Sequence, residues 1–150
     1  MDSELSIGDE FILENNPIFV SNSIANWKNL YGNDDDCQII ISLMSFSEMN
    51  QYGVLGYLET VQKSGKIFLH FPFNSGTDFA QIDAIFTMIS KYTNEKVFVY
   101  CPFEKMRFEL FIGCYMISDN VSSDDVLEKF NLNSRHKRYI KKYDEHCHKK

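Results

Sequence analysis

The sequence has 150 residues, of which 44% are hydrophobic and 24% charged, and these values predict one globular domain over residues 1–150. Its 15 Lys and Arg residues against 21 Asp and Glu give a formal net charge of −6, which argues against nucleic-acid binding. No apolar run approaches the roughly 20 residues of a membrane span, and four cysteines without a paired spacing favour free thiols in a cytoplasmic protein.

The first half of the chain alternates apolar runs with turn residues. Asn15-Asn16-Pro17 marks a turn between two short strands. The continuous β-branched run at 37–43 is typical of a strand covered on both faces, as in a parallel sheet. Ser23 is placed to cap a short helix, and Ser64-Gly65 to end a longer one. The predicted elements are strands at 11–13, 18–20 and 37–43, a helical turn at 45–51, and helices at 23–30 and 54–61.

The second half continues the alternation of strands and helices. Thr77 or Asp78 caps a helix with an apolar face, and Ser122 or Ser123 caps another. The segment 108–117 is apolar on nearly every side, which indicates a central, buried helix. The order of elements predicts an α/β fold with a mainly parallel central sheet flanked by helices. The predicted elements are strands at 66–71 and 97–100 and helices that begin near residues 78, 108, 123 and 135.

The basic segment 135–150 forms either a final helix or a tail. The segment contains four potential metal ligands, but their spacing is not that of a zinc site, so we predict that no metal is bound. We interpret the last three of the four as part of a solvated tail. These ligands are His136, His146, Cys147 and His148. His70 follows an apolar run and is interpreted as a hydrogen-bonded core or rim histidine.

A strand, a short loop and a helix meet at Cys101. Cys101 follows the strand at 97–100, and Arg107 opens the apolar helix, with five residues between them. The carboxyl ends of parallel strands and the N-termini of helices both favour bound anions. An arginine fork binds two phosphate oxygens, and the same positive environment lowers the pKa of a thiol. The alternative is a buried structural Cys101 and an unrelated surface Arg107.

The stretch from Cys101 to Arg107 resembles the signature of the dual-specificity and tyrosine phosphatase superfamily, Cys, five residues, Arg (CX5R). Residues 39–43 resemble an early strand of that family, and residues 65–72 resemble a later strand of compact bacterial phosphatase-like domains. The resemblance covers about residues 17–131. It implies a strand–CX5R loop–helix and a phosphate-binding loop made of Pro102, Phe103, Glu104, Lys105, Met106 and Arg107.

The resemblance also implies residue roles. Cys101 would be the nucleophile that forms a phosphocysteine intermediate, and Arg107 would bind the phosphoryl oxygens. A carboxylic acid would protonate the leaving oxygen. The family's Asp position falls near Asn74, an amide, so Asp78 is the candidate acid, although a helix cap is an alternative role for it. No cofactor is implied, and the partner would be a phosphorylated protein or a small phosphomonoester.

Three further positions depart from the family pattern. Tyr100 stands in place of His, which removes one aid to thiolate formation. Glu104 stands in place of Gly, so it can strain the loop or repel phosphate, with Lys105 beside it as a counter-charge. Phe108 replaces a Ser or Thr that assists breakdown of the phosphoenzyme.

Two hypotheses follow from these residues, and a third is weaker. The first is a cysteine-dependent phosphatase of the tyrosine or dual-specificity type, acting on a phosphomonoester. The second is a weak or inactive phosphatase-like module that binds a phosphorylated ligand or protein. The third, a rhodanese-type sulfur transferase, also places a reactive Cys after a strand, but the position of Arg107 fits phosphatases better.

Overall fold

The structure is a computed structural model, and it describes residues 10–12, 16–23, 37–51, 65, 67–101 and 105–148. The helix predicted at 54–61, and the part of the predicted 23–30 helix that follows Ser23, lie outside these residues. The assignment of residues 1–150 to one domain stays a prediction.

Five strands form one sheet, and the pairing is mainly parallel. The strand order is β1-β2-β5-β3-β4, and β1 pairs with β2 in the antiparallel sense whereas the other three pairings are parallel. The α/β fold predicted from the order of apolar runs is therefore confirmed. The strands are β1 (Glu10–Ile12), β2 (Ile18–Ser23), β3 (Cys37–Ser42), β4 (Ile67–His70) and β5 (Lys96–Cys101).

Five helices accompany the sheet in the described part of the chain. Every residue of Phe108–Ile117 is buried, which confirms the prediction of a central helix. No helix among the described residues has both the length and the apolar character that crossing a bilayer requires. The helices are α1 (Phe46–Gln51), α2 (Phe79–Ile89), α3 (Lys105–Ser118), α4 (Ser123–Lys129) and α5 (Ser134–His148).

Aromatic rings fill the core on one side of the sheet. The ring of Phe111, in the middle of α3, lies 5.3–6.3 Å from four other rings, all of them edge to face, as aromatic pairs prefer. Phe111 is fully buried, so α3 anchors the core that holds the strand ends in place. The four partner rings are Phe19, Phe71, Phe73 and Phe86.

Helix α5 is a packed element. Its apolar side buries Tyr139, Ile140 and Tyr143, as the helical alternative for this segment predicted. A Cβ atom added to Gly113 of α3 would lie 3.1 Å from Cδ1 of Ile140 and 3.0 Å from Cγ1 of Val126, which is tighter than ordinary contact. The absence of a side chain at Gly113 therefore lets α5 and α4 approach α3 closely.

The interpretation of 146–148 as a solvated tail is wrong, because these residues form the last turn of α5. His146 Nε2 bonds to Asp83 Oδ2 of α2 at 2.7 Å, and its ring stacks on Tyr143. Cys147 is partly buried. The apolar side of α5 docks the helix on the fold and leaves most of its basic residues exposed, so a charged composition did not indicate a free tail here.

Asp78 occupies the N-cap position of α2, which was one of the two predicted alternatives. Asp78 has the extended backbone of an N-cap residue, but its side chain makes no cap hydrogen bond. The Thr77 hydroxyl instead accepts a hydrogen bond from the N–H of Asn74 at 3.0 Å. Ala80 and Gln81 in the first turn of α2 are exposed, so water can reach the helix N–H groups there. In contrast, Ser122 caps α4 as predicted, accepting from Asp125 N at 3.2 Å.

Candidate functional site

The candidate loop joins a central strand to the buried helix. Cys101 is the last residue of β5 and pairs in register with Ser23 of β2. Helix α3 begins at Lys105, so Arg107 lies in its first turn. Residues 102–104, and the side chains of Cys101 and Lys105, lie outside the described part of the structure. The backbone thus has the strand–loop–helix arrangement that the sequence indicated, while the chemical roles of these residues stay predictions.

The Arg107 guanidinium is held by two groups from the segment that follows β3. Its Nη1 donates to Glu48 Oε1 at 2.9 Å and to the Leu43 carbonyl at 3.2 Å, and its Nη2 donates to Glu48 Oε2 at 3.2 Å. Three of its five N–H donors are therefore engaged by described residues. The other two, on Nε and Nη2, share one edge of the planar group, and such an edge fits two oxygens of an oxyanion.

Glu48 is fixed by its own helix before it meets Arg107. The Glu48 carboxylate accepts a hydrogen bond from Ser45 N at 2.8 Å, and the Ser45 hydroxyl accepts one from Glu48 N at 3.1 Å. This reciprocal pair is a capping box at the start of α1. The hydrogen bond from Arg107 is the main cause that lowers the pKa of Glu48, and partial burial opposes it. Glu48 is consequently a pre-positioned anion that orients Arg107.

We expect the Glu48→Gln variant to lose stability relative to the native protein at neutral pH and to match it in acid. The amide keeps the capping box but loses the charge, so the variant isolates the ion pair. Because the folded-state pKa lies below the ordinary value of 4.5, the stabilisation is present above that value and is lost as pH falls through the folded pKa. Both side chains are partly exposed, so the effect should not exceed about 1 kcal/mol.

Urea unfolding of both proteins between pH 7 and pH 3 measures this difference. Glu145→Gln, on the exposed side of α5, is the matched control and should show no such convergence with the native protein. A Glu48→Gln difference that stays constant or grows as the pH falls would contradict an ion pair with Arg107.

A cavity of about 790 Å³ lies beside Arg107. Three segments line it: the turn after β4, the first turn of α3, and the start of α5. The chain has only three arginines, and all of them line this cavity. None of the described lining residues is acidic. They are Asn74, Ser75, Met106, Arg107, Asn133, Ser134, Arg135, His136 and Arg138.

The structure brings Asn74, not Asp78, to the cavity. The Asn74 side chain closes its own turn, because its Oδ1 accepts from Gly76 N at 2.6 Å. Asp78 is exposed and is not among the described residues that line the cavity. No described lining residue therefore supplies a carboxylic acid, and the role of Asp78 as a proton donor stays a prediction.

Other residues noted in the sequence take structural positions. Tyr100 and Phe108 are buried, so Phe108 packs in the core, away from the cavity. His70 Nε2 donates to the Met44 carbonyl at 2.8 Å, as expected for a hydrogen-bonded rim histidine. Cys114 is fully buried in α3, and burial raises the pKa of its thiol. Within the described ranges, no group of three or more potential ligands is arranged to hold a metal ion.

Sequence reasoning did not find Glu48, Arg135 or Arg138 as site residues. Ser45 and Glu48 have the spacing of a capping box, which was a signal for the start of a helix but not for the partner of Arg107. The only signal for the other two residues is that arginine is rare here, with three arginines in a chain whose net charge is −6. Their convergence on one cavity depends on how α5 packs against α3.

Comparison with known proteins identifies this architecture. No protein-family model matches the sequence, and no curated protein matches it either. The kinase-associated phosphatase, crystallised with serine for its catalytic-site cysteine, superposes with a TM-score of 0.70 at 16% identity, covering 89% of each chain. The phosphatase PTPMT1 gives a TM-score of 0.66 at 14% identity, covering 93% of this chain and 96% of its own.

A bacterial phosphatase structure has a similar fold. TpbA of P. aeruginosa, in a Cys-to-Ser variant complexed with phosphotyrosine, gives a TM-score of 0.59 at 10% identity, covering 96% of this chain and 92% of its own. The chain has the fold of the cysteine-dependent tyrosine and dual-specificity phosphatases. At such identities the likeness shows the fold alone.

Proposed function

We propose that this protein is a cysteine-dependent phosphatase that hydrolyses a phosphomonoester. The observation that carries the proposal is the orientation of Arg107: Glu48 and the Leu43 carbonyl hold the guanidinium, while one of its edges is not engaged by any described residue. This group stands three residues into a helix that follows a parallel strand, where anions bind. The shared phosphatase fold supports the same assignment.

The reaction proceeds in two displacements. The Cys101 thiolate attacks phosphorus, the sulfur–phosphorus bond forms, and the ester oxygen leaves with its electron pair and takes a proton. Water then attacks the phosphocysteine, which releases inorganic phosphate and restores the thiol. Arg107 binds two of the non-bridging oxygens through both steps and stabilises the charge that develops on them. Its hydrogen bonds to Glu48 reduce the reorganisation that this requires.

No described residue that lines the cavity can donate a proton to the leaving group as a carboxylic acid does. Asn74 faces the cavity and cannot act as an acid, and Phe108 provides no hydroxyl to assist the second step. Asp78 is the candidate acid, and it would have to approach the substrate from outside the described lining. Substrates with acidic leaving groups do not need a proton donor, so an aryl phosphate should react faster than an alkyl phosphate.

The same residues favour a second candidate function. Among the described residues the cavity combines three arginines with no carboxylic acid, which suits retention of a phosphorylated ligand as well as its hydrolysis. In this alternative the protein binds the phosphorylated group through Arg107 and turns it over slowly or not at all.

The test is hydrolysis of an aryl phosphate by the native protein and by Cys101→Ser. We expect measurable release of phosphate by the native protein and its abolition in the variant, with an unchanged circular dichroism spectrum. Cys114→Ser is unsuitable as a control because Cys114 is in the core, whereas the partly buried Cys147 offers a milder Cys147→Ser control that should keep activity.

Two other results would contradict the proposed phosphatase function. If neither protein releases phosphate but the native protein binds phosphate and Arg107→Ala does not, the binding function replaces the enzyme. If phosphate is neither hydrolysed nor bound, both functions are wrong.

A further inference from the structure

The cavity beside Arg107 is more than a site for one phosphoryl group. Its volume of about 790 Å³ lies within the roughly 300–1,000 Å³ that small-molecule sites occupy. Arg107 contributes from one wall, and Arg135 and Arg138 contribute from another. A monophosphate bound to Arg107 would leave two guanidinium groups of the same cavity without an anion.

The two arginines of α5 are placed as a pair. Arg135 and Arg138 are three residues apart, so they share one side of the helix. Neither forms an ion pair with any residue that the structure describes, although 21 acidic residues occur in the chain. Both are exposed, so their N–H groups are open to a ligand that enters the cavity.

The start of α5 is held firmly enough to present this pair. The Asn133 side chain accepts a hydrogen bond from His136 N at 2.8 Å and so caps the helix. One turn further on, Ile140 is fully buried and meets α3 at Gly113, in the helix that also carries Arg107. The packing of α5 on α3 at Gly113, together with the hydrogen bonds from α5 to Asp83 of α2, therefore positions the three arginines relative to one another.

The lining also indicates the kind of molecule that carries the phosphates. Met106 is the only apolar side chain among the described lining residues, and none of them is Phe, Tyr or Trp. A phosphotyrosine ring packed against these described residues would meet mostly amide, hydroxyl and charged groups, which is an unfavourable environment for an aromatic ring. The hydroxyls of Ser75 and Ser134 and the side-chain amide of Asn133 suit the hydroxyl groups of a polyol.

We propose, building on the phosphatase function above, that the substrate is a small polyol that carries two or more phosphate groups. Arg107 binds the phosphate that is transferred, and Arg135 and Arg138 bind another that stays on the substrate. Charge-assisted hydrogen bonds to the second phosphate orient the first at Arg107. The same chemistry occurs in free polyol phosphates and in phosphorylated lipid headgroups.

The experiment compares matched pairs of ligands: fructose monophosphate with fructose bisphosphate, and inositol monophosphate with inositol trisphosphate. Dissociation constants are measured by calorimetry on the Cys101→Ser protein, and kcat/KM is measured on the protein with Cys101. We expect at least one pair to favour the more highly phosphorylated member by about tenfold or more, in binding as well as in kcat/KM. Salt should weaken this preference, because exposed charges carry it.

The variants locate the second phosphate. Arg135→Gln/Arg138→Gln should reduce the preference to within about twofold. Lys137→Gln/Lys141→Gln removes two positive charges from the same helix, at exposed residues that do not line the cavity, and should keep the preference. An equal loss in both double variants would mean a general charge effect and would overturn the proposal.

The remaining outcomes are separable from the phosphatase assignment. If the protein hydrolyses aryl phosphate but does not prefer the more highly phosphorylated member of either ligand pair, the phosphatase function is retained and the polyol phosphate substrate is rejected. Preferential binding without hydrolysis supports the ligand class and rejects catalysis. A doubly phosphorylated peptide that binds tighter than every polyol phosphate also rejects the proposal. Vesicles that contain phosphatidylinositol bisphosphate distinguish a lipid headgroup, which binds at the membrane, from a free polyol phosphate.

Discussion

Arg107→Lys is expected to lower kcat/KM for an aryl phosphate by about 10³-fold, with most of the loss in kcat. Lysine keeps the charge but is a single point donor, whereas Arg107 bonds simultaneously to Glu48, to the Leu43 carbonyl and, in our mechanism, to two phosphoryl oxygens. An ammonium group at this place can pair with Glu48 or with the phosphoryl group, but not with both in the required geometry. Steady-state kinetics at several substrate concentrations measure the two parameters.

Glu48→Gln and the double variant Arg107→Lys/Glu48→Gln complete the experiment. If Glu48 acts by orienting Arg107, its replacement should cost about tenfold in kcat/KM on the native background and little on the lysine background. Additive losses would mean that Glu48 acts independently of Arg107. An Arg107→Lys protein that retained activity within about tenfold of the native level would remove Arg107 from the mechanism.

Phe111→Ala is expected to destabilise the protein by about 3–5 kcal/mol. The ring is fully buried and contacts four other aromatic rings from three different parts of the chain, so its removal leaves a cavity that the core cannot close. For a chain of this size such a loss lowers the melting temperature by roughly 10 °C. Urea unfolding, followed by circular dichroism, gives the free energy directly.

Met88→Ala on α2 is the control, because this large apolar side chain is 44% exposed. Its replacement should change the free energy of unfolding by no more than about 0.5 kcal/mol. If Phe111→Ala cost as little as this control, the arrangement of aromatic rings around α3 would be wrong.

Local patterns were sufficient to predict the elements of the described fold. The β-branched runs of β3 and β5 and the apolar run of α3 are long and unbroken, so burial on all sides is their simplest explanation. The strand–loop–helix around Cys101 is likewise a local feature. Local patterns do not predict which separate segments of the chain lie close together in space. That proximity decides which groups a charged side chain can pair with.

The Glu48–Arg107 pair and the cavity arginines illustrate this limit. Residues 48 and 107 meet because β3 and β5 are neighbours in the sheet, so the segments that follow them lie side by side. Arg135 and Arg138 reach the same place through α5, whose packing depends on Gly113. The sequence of α5 is rich in charge, but its apolar residues Tyr139, Ile140 and Tyr143 have helical spacing and are buried, as the helical alternative predicted.

The strand order has a consequence for how the chain folds. The central strand β5 pairs with β2, whose residues Ile18 and Phe19 lie opposite Lys96 and Val97, 78 residues further along the chain (96 − 18). Such contacts form only after a long loop has closed, so folding should be slow compared with that of a helical protein of equal length. Until β5 is enclosed, its apolar edge is open to other molecules. Refolding at high protein concentration should therefore compete with aggregation.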